Sequence, residues 1–316
     1  MSASGKMLDE VSQVASVSSH GPDLPIEERW AKVQGARMRY LCAGSGPPLL
    51  LLHGLLGYSF SWRFVIPVLA KESTVYAPDM LGAGFSECPA NLECSLQACA
   101  ERVLLFADHL GIECFDLLGT SHGGAVAMMV AAKAAEKQHD RVRSLILVAP
   151  VNPWSNHGRR LAPFLSRGLV AKLFPAIAPR ATFAHAWILR RLYGDTNRIS
   201  AGTLEGYKRP FETNATMEYP IRILSSWGKD LRELETRLPG IEHLPTLILW
   251  GSLDRAVDPV SAQALQSRFR NARTVTFEGV GHLPYEEVPR EFNQAVLAFL
   301  QATRKSKAEG NDRGAL

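Results

Sequence analysis

The chain has 316 residues, of which 46% are hydrophobic and 21% charged, with a formal net charge of +4. That balance belongs to a soluble globular protein long enough for one large domain or a domain carrying an insertion, and it excludes a disordered chain. No window holds the roughly 18 uninterrupted apolar residues of a membrane span, and the opening MSASGKMLDE is charged where a signal peptide needs an apolar run, so a cytoplasmic location is expected. The five cysteines, Cys42, Cys88, Cys94, Cys99 and Cys114, are odd in number and lack metal-ligand spacing, which fits reduced, mostly buried thiols.

Residues 1–27 are rich in Ser, Gly and Pro and read as an N-terminal tail; residues 304–316 are charged with almost no large apolar side chains and read as a C-terminal one. Between them, apolar runs of strand length alternate with longer helical patterns. RWAKV and ARMRYLCAG, joined at Gln34-Gly35, predict an antiparallel hairpin at a sheet edge. Buried strands follow at 48–53, 73–79, 114–120, 143–150, 245–251 and 272–279, with helical patterns in SLQACAERVLLFADHLG, HGGAVAMMVAAKAAEK, PVSAQALQSRFR and PREFNQAVLAFLQATRK. The predicted fold class is α/β: a mostly parallel twisted sheet of about eight strands flanked by helices.

One interval departs from that alternation. From Pro153 to Pro245 the patterning is helical, broken at Pro163, Pro175, Pro179, Pro210 and Pro220, with no convincing buried strand. Connections in α/β units usually run about two to six residues, so residues 153–240 are expected to form a helical cap inserted into a core of residues 28–152 and 241–303. The interval is also basic. Trp154 to Gly240 holds 14 Lys and Arg against 7 Asp and Glu, and Arg159 to Arg191 holds seven basic residues and no acidic one. Three readings fit that run: a solvated outer face, attraction of anionic substrates, or contact with a lipid surface.

Chemistry concentrates at Gly119-Thr120-Ser121-His122-Gly123, a G-x-S-x-G pattern between a predicted strand and a predicted helix. Glycines there let the chain turn sharply enough to stand a hydroxyl above the sheet. A helix N-cap is the competing role for a serine in this place, but strand, elbow and helix are all present. A serine nucleophile needs a base. Among nine histidines, His282 lies in the glycine-flanked loop GVGHLPYEEVP just past a predicted strand, where it could reach the sheet's carboxyl end. The others lie in the tail, in helical patterns or in the insertion, and His53, beside Gly54, reads as a loop anchor. A base in turn needs a carboxylate to hold its tautomer. Asp254, three residues past Gly251, is preferred; Asp258 precedes Pro259 and reads as a helix cap, and stays as the alternative. Two backbone donors for a developing oxyanion are available in the amides of His122 and of Leu55, which follows His53-Gly54 after a buried strand.

The ordered set HGLLG (53–57), DMLGAGFS (79–86), GTSHGG, WGSLDRAVDP and GVGHLPYEEVP resembles the α/β-hydrolase-fold serine hydrolases, over about residues 28–302. The chain order Ser, Asp, His is that family's order. The resemblance implies Ser121 as nucleophile, Asp254 as acid, His282 as base, Leu55 and His122 as the oxyanion hole, and DMLGAGFS as a structural loop. Dehalogenases and epoxide hydrolases of this fold carry Asp where Ser121 stands, so neither activity is expected. Carbon–carbon hydrolases usually place Trp after the histidine, where this chain has Leu283. The expected function is a cofactor-independent carboxylesterase acting on a small or medium-chain ester through an acyl-enzyme. Carbon–carbon hydrolases, lyases and cofactor-free haloperoxidases share the triad, and a ligand receptor of the same fold is the reading from a different class. No phosphate loop, dinucleotide fingerprint, zinc ligand set or nucleic-acid motif is present, so the expected partner is a small ester-like molecule, with no cofactor, no metal and no nucleic acid.

Overall fold

The structure, a computed structural model, describes residues 24–136, 140–155, 182–213 and 218–313. Eight strands, β1 (Glu27–Val33), β2 (Ala36–Ala43), β3 (Pro48–Leu52), β4 (Thr74–Pro78), β5 (Phe115–Thr120), β6 (Val142–Val148), β7 (Thr246–Gly251) and β8 (Ala272–Phe277), form one sheet in the order β1-β2-β4-β3-β5-β6-β7-β8. The β1/β2 and β2/β4 pairs are antiparallel and the rest parallel. The hairpin at Gln34-Gly35 forms the antiparallel edge, and each of the six strands expected after it is present within two residues of its expected bounds; β8, expected to be buried, is instead the far edge of the sheet and has no fully buried residue, since it pairs on one side only.

Strand side chains alternate between faces, and here both faces are dry. Leu50, Leu52, Leu117, Leu145, Leu147, Ile248 and Trp250 enter one core, with α2 (Leu96–His109) and α3 (His122–Glu136) packed over it. Their neighbours Leu49, Leu51, Leu118, Ile146, Val148, Leu247 and Leu249 enter the other, under α1 (Ile66–Leu69) and the long α9 (Pro289–Arg313). Phe292, Val296 and Leu300 are the buried stripe of α9, at a four-residue spacing that keeps one helical face inward. Helix α2 starts at Ser95, whose side chain accepts from the Ala98 amide, so an otherwise orphaned N–H is capped.

Between β6 and β7 the described residues contain no strand. They form α4 (Thr182–Leu192), α5 (Thr203–Thr213) and α6 (Glu218–Arg237), the last carrying Tyr219, Ile223, Trp227, Leu231 and Leu234 into the first core. Most of the basic run from Arg159 lies outside the described residues, as does most of the N-terminal tail. Shorter helices α7 (Ser261–Gln266) and α8 (Pro284–Glu287) follow β7 and β8.

The carboxyl end of the chain differs from its compositional reading as a tail from Arg304. Helix α9 continues to Arg313, because a helix already nucleated over a buried stripe extends at little cost through good helix formers. Arg304 itself is anchored. Its guanidinium donates to the buried Asp116 carboxylate at 3.0 Å and to Ser73 Oγ at 2.9 Å, while Arg143 and Ser144 donate to the same carboxylate at 3.1 and 2.8 Å. Replacing Arg304 by Met removes one of two cations from Asp116 and should lower unfolding free energy in urea by about 1–3 kcal/mol. A change below about 0.5 kcal/mol, typical of an uninvolved surface site, would exclude Arg304 as an anchor.

Candidate active site

Four loops at the carboxyl ends of parallel strands bring the candidate residues to one rim. After β5 the chain turns at Ser121, whose φ of +53° puts a non-glycine residue in the left-handed region, a strain that commonly marks a functional turn. The turn is stitched to the end of β6, since the Ser121 amide donates to Val148 O at 2.9 Å and the Val151 amide donates to Ser121 O at 2.9 Å. Side chains on the flanking glycines would not fit. A Cβ at Gly119 would lie 2.3 Å from Gly123 O, and one at Gly123 would lie 2.4 Å from both Leu52 O and His53 O.

After β7, Asp254 is buried and its carboxylate collects four donors. Oδ1 accepts from the amides of Ala256 at 2.7 Å and Val257 at 3.0 Å. Oδ2 accepts from Trp250 Nε1 at 3.1 Å and meets His282 Nδ1 at 2.7 Å. With a carboxylate opposite Nδ1, that nitrogen carries the proton and Nε2 keeps a free lone pair. Asp258 is exposed; its carboxylate accepts from the Val260 amide at 2.9 Å and its carbonyl from the Ser261 hydroxyl at 2.9 Å, local contacts at the start of α7. The loop after β8 folds back toward the elbow: the His282 amide donates to Leu192 O at 2.7 Å, and Tyr285 lies beside Thr120. The structure therefore brings Asp254 and His282 together, and the segment after His282 reaches Thr120, the neighbour of Ser121. It makes no hydrogen bond between Ser121 Oγ and His282; such contacts often tighten only around substrate.

The loop after β3 faces the same turn. A Cβ on Gly54 would come within 3.2 Å of Ser121 Cβ and 3.8 Å of its Oγ, and the next amide, Leu55, donates to no protein group among the described residues. His122 opens α3, so its amide is one of the helix's unpaired donors. His53 is a brace: its Nδ1 donates to Gly54 O at 2.8 Å and its Nε2 accepts from the Met80 amide at 3.0 Å. Asp79, opening DMLGAGFS, accepts from the Ser59 amide at 2.8 Å and from Arg39 and the Phe85 amide at 3.0 Å each, tying two loops together.

Residues 47–289 match the family described as alpha/beta hydrolase fold. The chain belongs to that hydrolase family. Within it, the chain is 30% identical over 287 residues to a protein named haloalkane dehalogenase 2 from Mycobacterium tuberculosis, covering 86% of this chain and 94% of the relative. It is also 30% identical over 262 residues to a pimeloyl-[acyl-carrier protein] methyl ester esterase from Aeromonas hydrophila, covering 81% and 96%. Among solved structures, a membrane phospholipase A described as a bacterial virulence factor superposes with a TM-score of 0.72 at 26% identity, over 96% of this chain and 95% of that one. No helix among the described residues is long and apolar enough to cross a membrane. Nor do they contain a group of three or more His, Cys, Asp or Glu able to hold a metal ion.

Sequence reasoning about this hydrolase missed Trp250 as a partner of Asp254. The signal was there: an indole closing the apolar run TLILW, four residues ahead of a carboxylate, needs an acceptor when buried. It also missed the roof over the residue after Ser121. The His122 ring stacks on Trp227 of α6 with centroids 6.1 Å apart and planes 21° apart, and its Nε2 is buried without a protein partner. Burial, reinforced by nearby His53, pushes the His122 pKa down to about 3 from 6.5, and burial also lowers that of His53. Both rings are thus held neutral in the fold and protonate readily once unfolded. Their contribution to stability is complete above about pH 6.5 and erodes as pH falls toward about 3, because the unfolded chain binds the extra protons. His122→Gln should accordingly show a smaller drop in melting temperature than wild type between pH 7 and pH 4.5. Parallel curves for the two proteins would contradict a neutral, buried His122.

Proposed function

We propose that this hydrolase is a serine carboxylesterase working through an acyl-enzyme. Ser121 Oγ attacks the ester carbonyl as His282 Nε2 takes its proton, Asp254 stabilises the imidazolium at Nδ1, and the amides of Leu55 and His122 receive the oxyanion. His282 then protonates the leaving alcohol, and the same relay activates water for deacylation. The observation that carries this reading is the shared rim: a hydroxyl on a strained elbow, a His–Asp pair at 2.7 Å on the loop that folds toward it, and an unengaged loop amide beside it.

The nucleophile's chemistry separates this reading from that of the dehalogenase-named relative. Displacing a halide, or opening an epoxide, with a serine oxygen would create an ether that water does not cleave, so the enzyme would not turn over. An acyl group on the same oxygen is an ester, which the relay can hydrolyse. The esterase-named relative fits that requirement.

The segment 153–240 serves as the cap, and its described helices support this. Pro210, Phe211, Tyr219 and Pro220 face Leu55–Tyr58 and Gly82–Gly84 across a narrow, part-open cleft. The five cysteines are all unpaired, and burial pushes the thiols of Cys94 and Cys99 up to about 12 and about 11. Neither of these two thiols is therefore available as a nucleophile in competition with Ser121.

A fluorophosphonate probe should label Ser121, and p-nitrophenyl esters of graded chain length should give burst kinetics that Ser121→Ala abolishes. Asp254→Asn should lower kcat by about 10⁴-fold through the wrong imidazole tautomer, whereas Asp258→Asn should stay within about twofold of wild type. Ester turnover surviving Ser121→Ala, or the larger loss falling on Asp258, would overturn the assignment.

A further inference from the structure

Two consecutive carboxylates, Glu286 and Glu287, follow His282 on α8, and both are buried. The proposed relay uses neither. A buried carboxylate is tolerated only when its oxygens are fully engaged, and the partners of this pair come from two places. Glu287 Oε1 accepts from the Gly281 amide at 2.7 Å, next to His282, and from the Gly194 amide at 3.0 Å; its Oε2 accepts from the amides of Gly194 at 3.1 Å and Asp195 at 3.2 Å. Glu286 forms a two-point pair with Arg63, at 2.9 Å for each contact, and accepts from the phenols of Tyr193 and Tyr207. Arg63 also reaches Thr203 Oγ1 at 3.1 Å. Desolvation and the Glu286 charge raise the pKa of both phenols, which keeps them protonated donors.

The backbones are in direct contact as well. The His282 amide donates to Leu192 O. A Cβ on Gly194 would lie 2.7 Å from the Gly281 nitrogen, and one on Gly281 would lie 2.4 Å from Leu192 O. The loop carrying the imidazole is thus sandwiched: on one side lies the end of β7, where a Cβ on Gly251 would come 2.0 Å from Gly281 O and the Leu253 amide donates to Val280 O at 2.8 Å, and on the other lie residues 192–195.

We infer that Glu286 and Glu287 are positioning residues that staple the His282 loop to segment 192–207, so that the placement of the imidazole over Ser121 depends on how that segment is docked. The inference rests on the Ser121–His282–Asp254 reading. Because residues 192–207 belong to the proposed cap, a substrate that shifts the cap also shifts the base.

The test uses the full chain. Fluorophosphonate labelling of wild type, and its loss in Ser121→Ala, examines the triad reading alone, so its failure is distinguishable from failure of the staple. Glu287→Gln and Gly194→Ala should slow labelling and lower ester kcat by at least about tenfold, the scale expected when a base is misplaced by a fraction of an ångström, with KM moving less than about threefold. The low-field proton resonance of the His282–Asp254 bond should shift or broaden in both. Tyr193→Phe and Tyr207→Phe, which each remove one hydroxyl, should slow labelling in the same direction and supply the result if the first two variants do not fold. Asp116→Asn, remote from the loop, is the control for stability: it should lower the melting temperature and leave the labelling rate unchanged. Wild-type labelling rates and an unshifted resonance in the folded variants would overturn the inference. So would losses that merely track melting temperature as far as Asp116→Asn does.

Discussion

The bond between His282 Nδ1 and Asp254 Oδ2 is the contact on which the carboxyl rim depends. It fixes which imidazole nitrogen is free, and Asp254 is itself immobilised by Trp250 and two backbone amides. Topology makes half of this inexpensive: β7 and β8 are neighbours, so the residues after them meet without long loops. Ser121 follows β5, three strands away, which at the usual interstrand spacing is roughly 14 Å. The proposed relay therefore requires the His282 loop to turn back over β7 and β6. The loop is gripped from two sides, by the end of β7 through Asp254 and Gly251 and by the segment after α4 through Leu192 O and Glu287.

The scaffold was legible from period and punctuation. Runs such as PLLLL and SLILV predicted strands buried on both faces, and the alternate leucines of β3 do enter opposite cores. The G-x-S-x-G turn was equally readable, since its demand on glycine is local. What the sequence hid were partnerships between distant positions. Arg63 and Glu286 lie 223 residues apart, and neither composition nor spacing marks them as a pair. Only the position of Pro259 favours Asp254 over Asp258 in the sequence; burial and the Trp250 indole bond set the two apart in the structure. The helix past Arg304 escapes a compositional reading because composition reports what a segment could bury alone, whereas α9 enters it already formed.

Buried ion pairs recur wherever a connection must be pinned, and each is a network rather than an isolated couple. Arg39 joins Asp79, Glu28 and Ser59 beneath the loop at 79–86. Arg63 and Glu286 hold the first described helices between β6 and β7 to the core, and Asp116 gathers Arg143 and Arg304 at the opposite end of the sheet. Lone buried charges are expensive, and even good pairs seldom add net stability over apolar packing. Their value lies in direction. An apolar contact lets a loop slide, whereas a guanidinium gripping both oxygens of a carboxylate fixes its register.

The rim also separates geometry that a family can share from chemistry that it cannot. The elbow needs only close backbone approach and a left-handed residue at 121; any small side chain placed there would stand beside the same Gly54 loop. The reaction is then set by the atom presented. A carboxylate at that turn would form alkyl esters that water can reopen at the carboxyl carbon, which suits displacement at saturated carbon. A hydroxyl forms adducts that reopen only at an acyl carbon. With relatives at equal identity named for a dehalogenase and for an esterase, overall likeness does not separate the two reactions, and the proposed esterase chemistry rests on the oxygen of Ser121.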